Sequence, residues 1–168
     1  MADFDLVILG GGSGGYACAL RASQLGLKVV LIEKDKLGGT CLHRGCIPTK
    51  ALLHAGEIAD NTRHASEFGV KADFHSIDMA GVNSYKDGVI SKLHKGLQGL
   101  VKSRNVTYVE GAGKLISKNT VEVNGERYTG KNVVGKWSMI LYSGCFQRTG
   151  RVHLIQMRRY WMGRLLMR

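Results

Sequence analysis

Two cysteines, Cys41 and Cys46, stand five positions apart, and Lys50 follows the second by four. A thiol pair can carry two electrons, because a thiolate attacks one sulfur of a disulfide and the bonding pair leaves on the other. On a regular helix, residues five apart diverge, with Cα atoms beyond the limit of about 7 Å for a disulfide. Bridging therefore requires an irregular turn between them, and Gly45 supplies the freedom for one. Pro48 fits a first helical turn, where a missing N–H costs little. Lys50 then shares a helical face with Cys46, and a cation beside a helix N-terminus favours thiolate. On residue types alone, two ordinary core cysteines compete with this reading. His43, between them, raises a metal site as a third possibility, although no second cysteine pair completes a ligand set.

A second constellation lies upstream. Gly10-Gly11-Gly12-Ser13-Gly14-Gly15 holds G-x-G-x-x-G on Gly10, Gly12 and Gly15. In a dinucleotide-binding turn the first glycine permits the sharp bend, the second lets the backbone approach a pyrophosphate, and the third lets helix pack on strand. The helix N-terminus offers N–H groups and the positive end of its dipole to the phosphates. Glu33 follows Gly10 by 23 residues, near the spacing of about 20 for a carboxylate that binds ribose hydroxyls. A ligand-free glycine turn is the alternative.

Regular elements must position these groups. The nearly continuous apolar run from Asp3 to Leu9 predicts a buried parallel strand. A helix over Ser13–Leu25, stopped at Gly26, and a strand over Leu27–Ile32 complete a βαβ unit. Gly38-Gly39-Thr40 reads as a loop, and a helix runs from near Cys46 to about His64. Val82, Tyr85, Val89, Leu93, Leu97 and Leu100 mark a long amphipathic helix over 79–103. Short strands follow at Val106–Glu110, Lys114–Ser117 and Thr120–Val123, then an Asn124-Gly125 turn into Glu126–Thr129 and a strand at Lys131–Val134. The expected fold is α/β, a parallel sheet with the 106–130 strands as an antiparallel layer above it. Cys18, among alanines, reads as a small core residue.

Charge separates the chain into two parts. The net charge is +11, yet residues 1–134 hold 17 basic and 13 acidic residues, only +4. The remaining +7 lies in residues 135–168, which contain no acid, both tryptophans and four of the six methionines. No apolar run reaches the roughly 18–20 residues of a membrane span, and the start carries no basic secretory n-region. These features point to a cytoplasmic protein without a membrane or nucleic-acid partner, and the lysines of the long helix read as a solvated face.

The glycine turn together with Gly39-Thr40-Cys41-Leu42-His43-Arg44-Gly45-Cys46-Ile47-Pro48-Thr49-Lys50 and Ala51-Leu52-Leu53-His54 resembles the dihydrolipoamide dehydrogenase family of flavin disulfide reductases. Glutathione and mercuric reductases share the outer frame but usually differ between the cysteines and after the lysine. The resemblance covers about Asp3–Val134. It implies a Rossmann-like FAD-binding domain and oxidation of dihydrolipoamide, with NAD⁺ as acceptor. It assigns Gly10, Gly12, Ser13, Gly14, Gly15, Glu33, Lys34, Gly39, Thr40, Cys41, Lys50 and Gly113 to FAD. Cys41 matches the thiol that exchanges with substrate, Cys46 the thiol against the flavin, and Lys50 the lysine near its N5; no metal is implied. Partners would be the dihydrolipoamide-bearing proteins of 2-oxoacid dehydrogenase complexes and, in the full-length family, a second copy as homodimer.

The likeness stops abruptly. Where the family continues with apolar strand residues and an A-T-G-S-type turn, this chain reads Gly135-Lys136-Trp137-Ser138-Met139. The coincident loss of acids suggests a changed reading frame near codon 135, so that residues 1–134 form an incomplete FAD domain and 135–168 an unrelated basic tail. On that reading the NAD site is missing, and the isolated chain is expected to be inactive and to bind FAD weakly or not at all. The competing reading is a genuine basic segment able to bind anionic lipid or RNA.

Overall fold

A computed structural model of the chain describes residues 3–135. The 136–168 segment, on which the reading-frame and basic-tail expectations rest, lies outside the described residues.

The chain opens with strand β1 (Phe4–Leu9), helix α1 (Ser13–Gln24) and strand β2 (Val29–Glu33). β1 and β2 run parallel, with Leu6 beside Val29 and Leu9 beside Ile32. Then come the short helix α2 (Gly39–His43), helix α3 (Cys46–Arg63), a 3-10 turn (Ala65–Phe68) and the long helix α4 (Met79–Ser103). The Asp78 side chain starts α4 by accepting from the N–H groups of Ala80 and Gly81 at 2.9 and 3.0 Å, satisfying donors that a helix start leaves open. Strands β3 (Thr107–Glu110), β4 (Lys114–Ser117), β5 (Thr120–Val123) and β6 (Glu126–Gly135) finish the described chain, and the sheet order is β3-β2-β1-β6-β5-β4.

Two sequence expectations require correction. β3 does not belong to an antiparallel layer; it pairs parallel with β2, Val30 beside Thr107 and Glu33 beside Glu110. The reason is connectivity: a strand reached through a helical crossover returns in the same direction as the one it left. Glu126–Thr129 and Lys131–Val134 are also one strand rather than two. The first half of β6 pairs antiparallel with β5 and the second half parallel with β1. Gly130 sits at the changeover, where a Cβ would lie 2.8 Å from Val7 Cγ2.

Alternation along the strands divides the core between the two sheet faces. Ile8, Val29 and Leu31 pack with Ala19, Ala22, Leu97 and Val101 on the helix side. Val7, Val30 and Ile32 pack with Val121 and Val123 of β5 on the other. The β4–β6 ladder thus folds back over the parallel strands, as the sequence predicts for that part. Each fully buried aliphatic side chain stabilises the fold by about 1.5–3 kcal/mol, so these central strands form a rigid base for their carboxyl ends. Among the described residues no helix is long and apolar enough to cross a membrane.

Candidate functional site

The carboxyl ends of β1 and β2 carry the first constellation. Gly10, at φ +110°, turns the chain out of β1 while its N–H donates to the Ile32 carbonyl at 2.7 Å. Gly15 is buried on α1, where a Cβ would stand 1.8 Å from the Gly10 oxygen. Only glycine lets the helix come this close to the turn. Gly12 differs: it is the N-cap of α1 in extended backbone, no side chain caps it, and a Cβ there would meet nothing within 4 Å. Ser13 and Gly14 beside it are exposed. The turn thus opens a side-chain-free approach to a helix N-terminus, which suits the pyrophosphate of a dinucleotide.

Glu33 closes this rim. Its Oε2 accepts from the Gly11 N–H at 2.6 Å and its Oε1 from the Asp35 N–H at 3.0 Å. A carboxylate oxygen accepts more than one hydrogen bond, so the side chain can brace the turn and still receive a ribose hydroxyl. Lys34, next in the chain, is exposed.

The cysteine segment is seated directly on the glycine turn. The Gly38 N–H donates to the Gly11 carbonyl at 2.9 Å, and Gly12 and Gly38 form a parallel bridge. Gly38 and Gly39 both adopt positive φ, +109° and +61°. A Cβ on Gly39 would lie 2.8 Å from the Gly12 Cα. Thr40 and Cys41 follow within α2, which ends at His43; after Gly45, at φ −128° and ψ −109°, α3 begins with Cys46. The irregular turn expected between the cysteines is therefore present, and Gly45 occupies it. Cys41 is partly buried, whereas Cys46 is exposed at the head of α3. Lys50 lies one turn along α3, exposed like Cys46.

Gly113 lies between β3 and β4, where a Cβ would come within 2.6 Å of Leu9, 3.0 Å of Val121 and 3.1 Å of Ile32. Its backbone is thereby brought to the same carboxyl ends. Cys18 packs against the helix-side core, and burial pushes its thiol up, away from reactivity. Among the described residues no group of three or more His, Cys, Asp or Glu is arranged to hold a metal.

Sequence reasoning overlooked three contributors. Gly38 and Gly11 form the seat, and Asp35 both donates to Glu33 and pairs with Arg44 at 3.1 Å. The signal was the doubled glycine at 38–39: two successive positive-φ residues announce a backbone that must turn tightly against another.

With this geometry in view, comparison with known proteins places the chain in context. A family model described as pyridine nucleotide-disulphide oxidoreductase matches residues 4–135. Dihydrolipoyl dehydrogenase of Chlamydia trachomatis serovar D is 44% identical over 84% of this chain and 30% of its own length. Dihydrolipoyl dehydrogenase 1, mitochondrial, of Arabidopsis thaliana is 45% identical over 82% of this chain and 27% of its own. A protein of Vigna unguiculata named leghemoglobin reductase is likewise 45% identical over 82% of this chain and 26% of its own. The chain thus spans under a third of the length of the curated relatives it matches.

Proposed function

The chain belongs to the pyridine nucleotide-disulphide oxidoreductase family, and we propose that residues 4–135 supply the FAD-facing, thiol-bearing part of an enzyme that oxidises dihydrolipoamide. The observation that carries the reading is the backbone seat of Gly38-Gly39 on Gly11-Gly12. It brings a dithiol segment and a dinucleotide turn to one place, as electron transfer between the two requires.

In this proposal Gly10, Gly12, Ser13, Gly14 and Gly15 hold the pyrophosphate of FAD and Glu33 its ribose. Lys34, Gly39, Thr40, Lys50 and Gly113 border the remainder. Bound FAD would supply a two-electron acceptor beside Cys46. The chain's own residues perform the sulfur chemistry. A substrate thiolate attacks Cys41 Sγ, the Cys41–Cys46 bond breaks, and the electron pair leaves on Cys46 as thiolate. The second substrate thiol loses its proton to water and attacks the sulfur bonded to Cys41. That step closes the substrate disulfide and releases the Cys41 thiolate, leaving two electrons on the cysteine pair. The pyridine nucleotide of the family's description is the final acceptor. Dihydrolipoamide on a carrier protein is favoured as substrate by the two dehydrogenase relatives. The relative named leghemoglobin reductase makes substrate choice the point to test.

Oxidised chain treated with dihydrolipoamide should lose its Cys41–Cys46 bridge with equimolar formation of lipoamide, counted by alkylation and mass. A flavin spectrum in purified chain incubated with FAD, changing on addition of dithiothreitol, would support a formed site. Failure of the bridge to form on oxidation would remove the disulfide reading. Equal or faster opening by reduced glutathione would favour a glutathione-type enzyme instead.

A further inference from the structure

His43 is the last residue of α2, between the two thiols. Its ring meets that of His94 on α4 edge to face, with centroids 4.8 Å apart and planes at 78°. His43 Nε2 also lies 3.0 Å from the carbonyl of Leu37, a residue buried to 1% exposure immediately before the glycine seat. One imidazole therefore ties the cysteine segment both to the seat and to the long helix. We infer that the His43–His94 contact is a strut that holds the Cys41 segment against α4, and that protonation of the two rings releases it. The inference rests on Cys41 and Cys46 being the redox pair, which gives the placement of Cys41 its consequence.

The two bonds of His43 respond differently to acid. The Leu37 carbonyl only accepts, so Nε2 must carry its hydrogen, as it does in one neutral tautomer and in the imidazolium. That tie survives protonation. The ring pair does not, because two imidazolium rings at this separation repel each other and neither presents the electron-rich face that an edge contact needs. Burial first, then the charges of His43 and Lys36, draw the titration of His94 below its ordinary range. Lys36 lies in the segment between β2 and α2. Arg44, just past the end of α2, is engaged by Asp35 at 3.1 Å. With its folded pKa lowered, His94 favours the fold in its neutral form; that contribution is present above the ordinary imidazole range and is lost as pH falls through it. Loosening α2 from α4 would then uncover Cys41, which is partly buried, while Cys46 is exposed already.

A pyridyl disulfide, which still reacts with thiols in acid, tests this on the reduced full chain. Cys46 serves as the internal reference, and labelling at each cysteine is read by peptide mass. Between about pH 7.5 and about pH 4.5, a span that covers the ordinary imidazole range and extends below it, the Cys41-to-Cys46 labelling ratio should rise severalfold. His94→Phe keeps a ring in the contact but cannot be protonated, so its ratio should stay low at both pH values. His94→Ala removes the strut, so its ratio should be high at both. A flat ratio in the unmodified chain, or the same rise in His94→Phe, would overturn the inference. Labelling needs neither flavin nor turnover, so loss of the strut and loss of the disulfide reading are separately visible.

Discussion

Substituting alanine at Gly15 and at Gly12, two glycines of one motif, should weaken FAD binding in both cases but cost substantial stability only in the first. At Gly15 the new Cβ would stand 1.8 Å from the Gly10 oxygen and 2.9 Å from the Gly10 carbonyl carbon. Real Cβ atoms essentially never approach heavy atoms within 3.0 Å, so helix and turn must separate by more than an ångström. The obstacle is backbone, which cannot rotate aside, and Gly10 is itself held by its bond to Ile32. Overpacking of this kind costs up to about 3 kcal/mol, while alanine inside a helix returns about 1 kcal/mol relative to glycine. Gly15→Ala should therefore lose about 2 kcal/mol, together with FAD affinity, because the turn moves. At Gly12 the backbone is extended and the added methyl meets nothing. Gly12→Ala exchanges one N-cap residue for a poorer one, at about 0.5–1 kcal/mol, and places a methyl on the approach proposed for the pyrophosphate. Urea unfolding monitored by circular dichroism and titration with FAD separate the two effects. The reasoning fails if Gly12→Ala unfolds as readily as Gly15→Ala, or if it binds FAD as tightly as the unmodified chain.

Two further substitutions probe the frame. Asp78→Ala removes the acceptor for two N–H groups at the start of α4, and the urea midpoint should fall by the equivalent of about 1 kcal/mol. Asp5 lies on β1, beside β6 in the middle of the sheet: a hydrogen bond from Lys131 first, then the Lys28 backbone N–H, holds its carboxyl below the ordinary range. With the folded pKa depressed, the stabilisation is present above the unfolded value and lost as pH falls through the folded one. Asp5→Asn should therefore lower the urea midpoint at neutral pH and flatten its decline below about pH 4; an acid limb of unchanged steepness would refute the assignment.

Much of this architecture was legible in the sequence, for identifiable reasons. The 79–103 helix was recovered to the residue because its apolar repeat is long. The break between the cysteines was legible because two thiols at that spacing cannot meet across a regular helix, and Gly45 marked where the chain departs from one. β3 was misassigned because its four residues alternate like any short strand; its direction is dictated by the crossover before it, not by its own composition. The union of 126–129 with 131–134 was illegible because Gly130 looks like a strand end. It proves instead to be the point where one strand changes partners, pressed against Val7.

The same physics explains why the Gly38-Gly39 pair was undervalued. A glycine that serves a turn announces itself by its neighbours, such as the asparagine of Asn124-Gly125. A glycine that serves a backbone contact announces itself only through the distant partner it touches, here Gly12, some 26 positions upstream. Local reasoning sees a loop at 38–40 and assigns it flexibility. The contact shows the reverse, because Gly38 is fixed by a hydrogen bond to Gly11 and a side chain on Gly39 would collide with the Gly12 Cα. This makes the glycine turn and the cysteine segment mechanically one unit. A substitution at Gly39 should therefore disturb dinucleotide binding and thiol placement together, whereas a flexible linker between two independent motifs would let either fail alone.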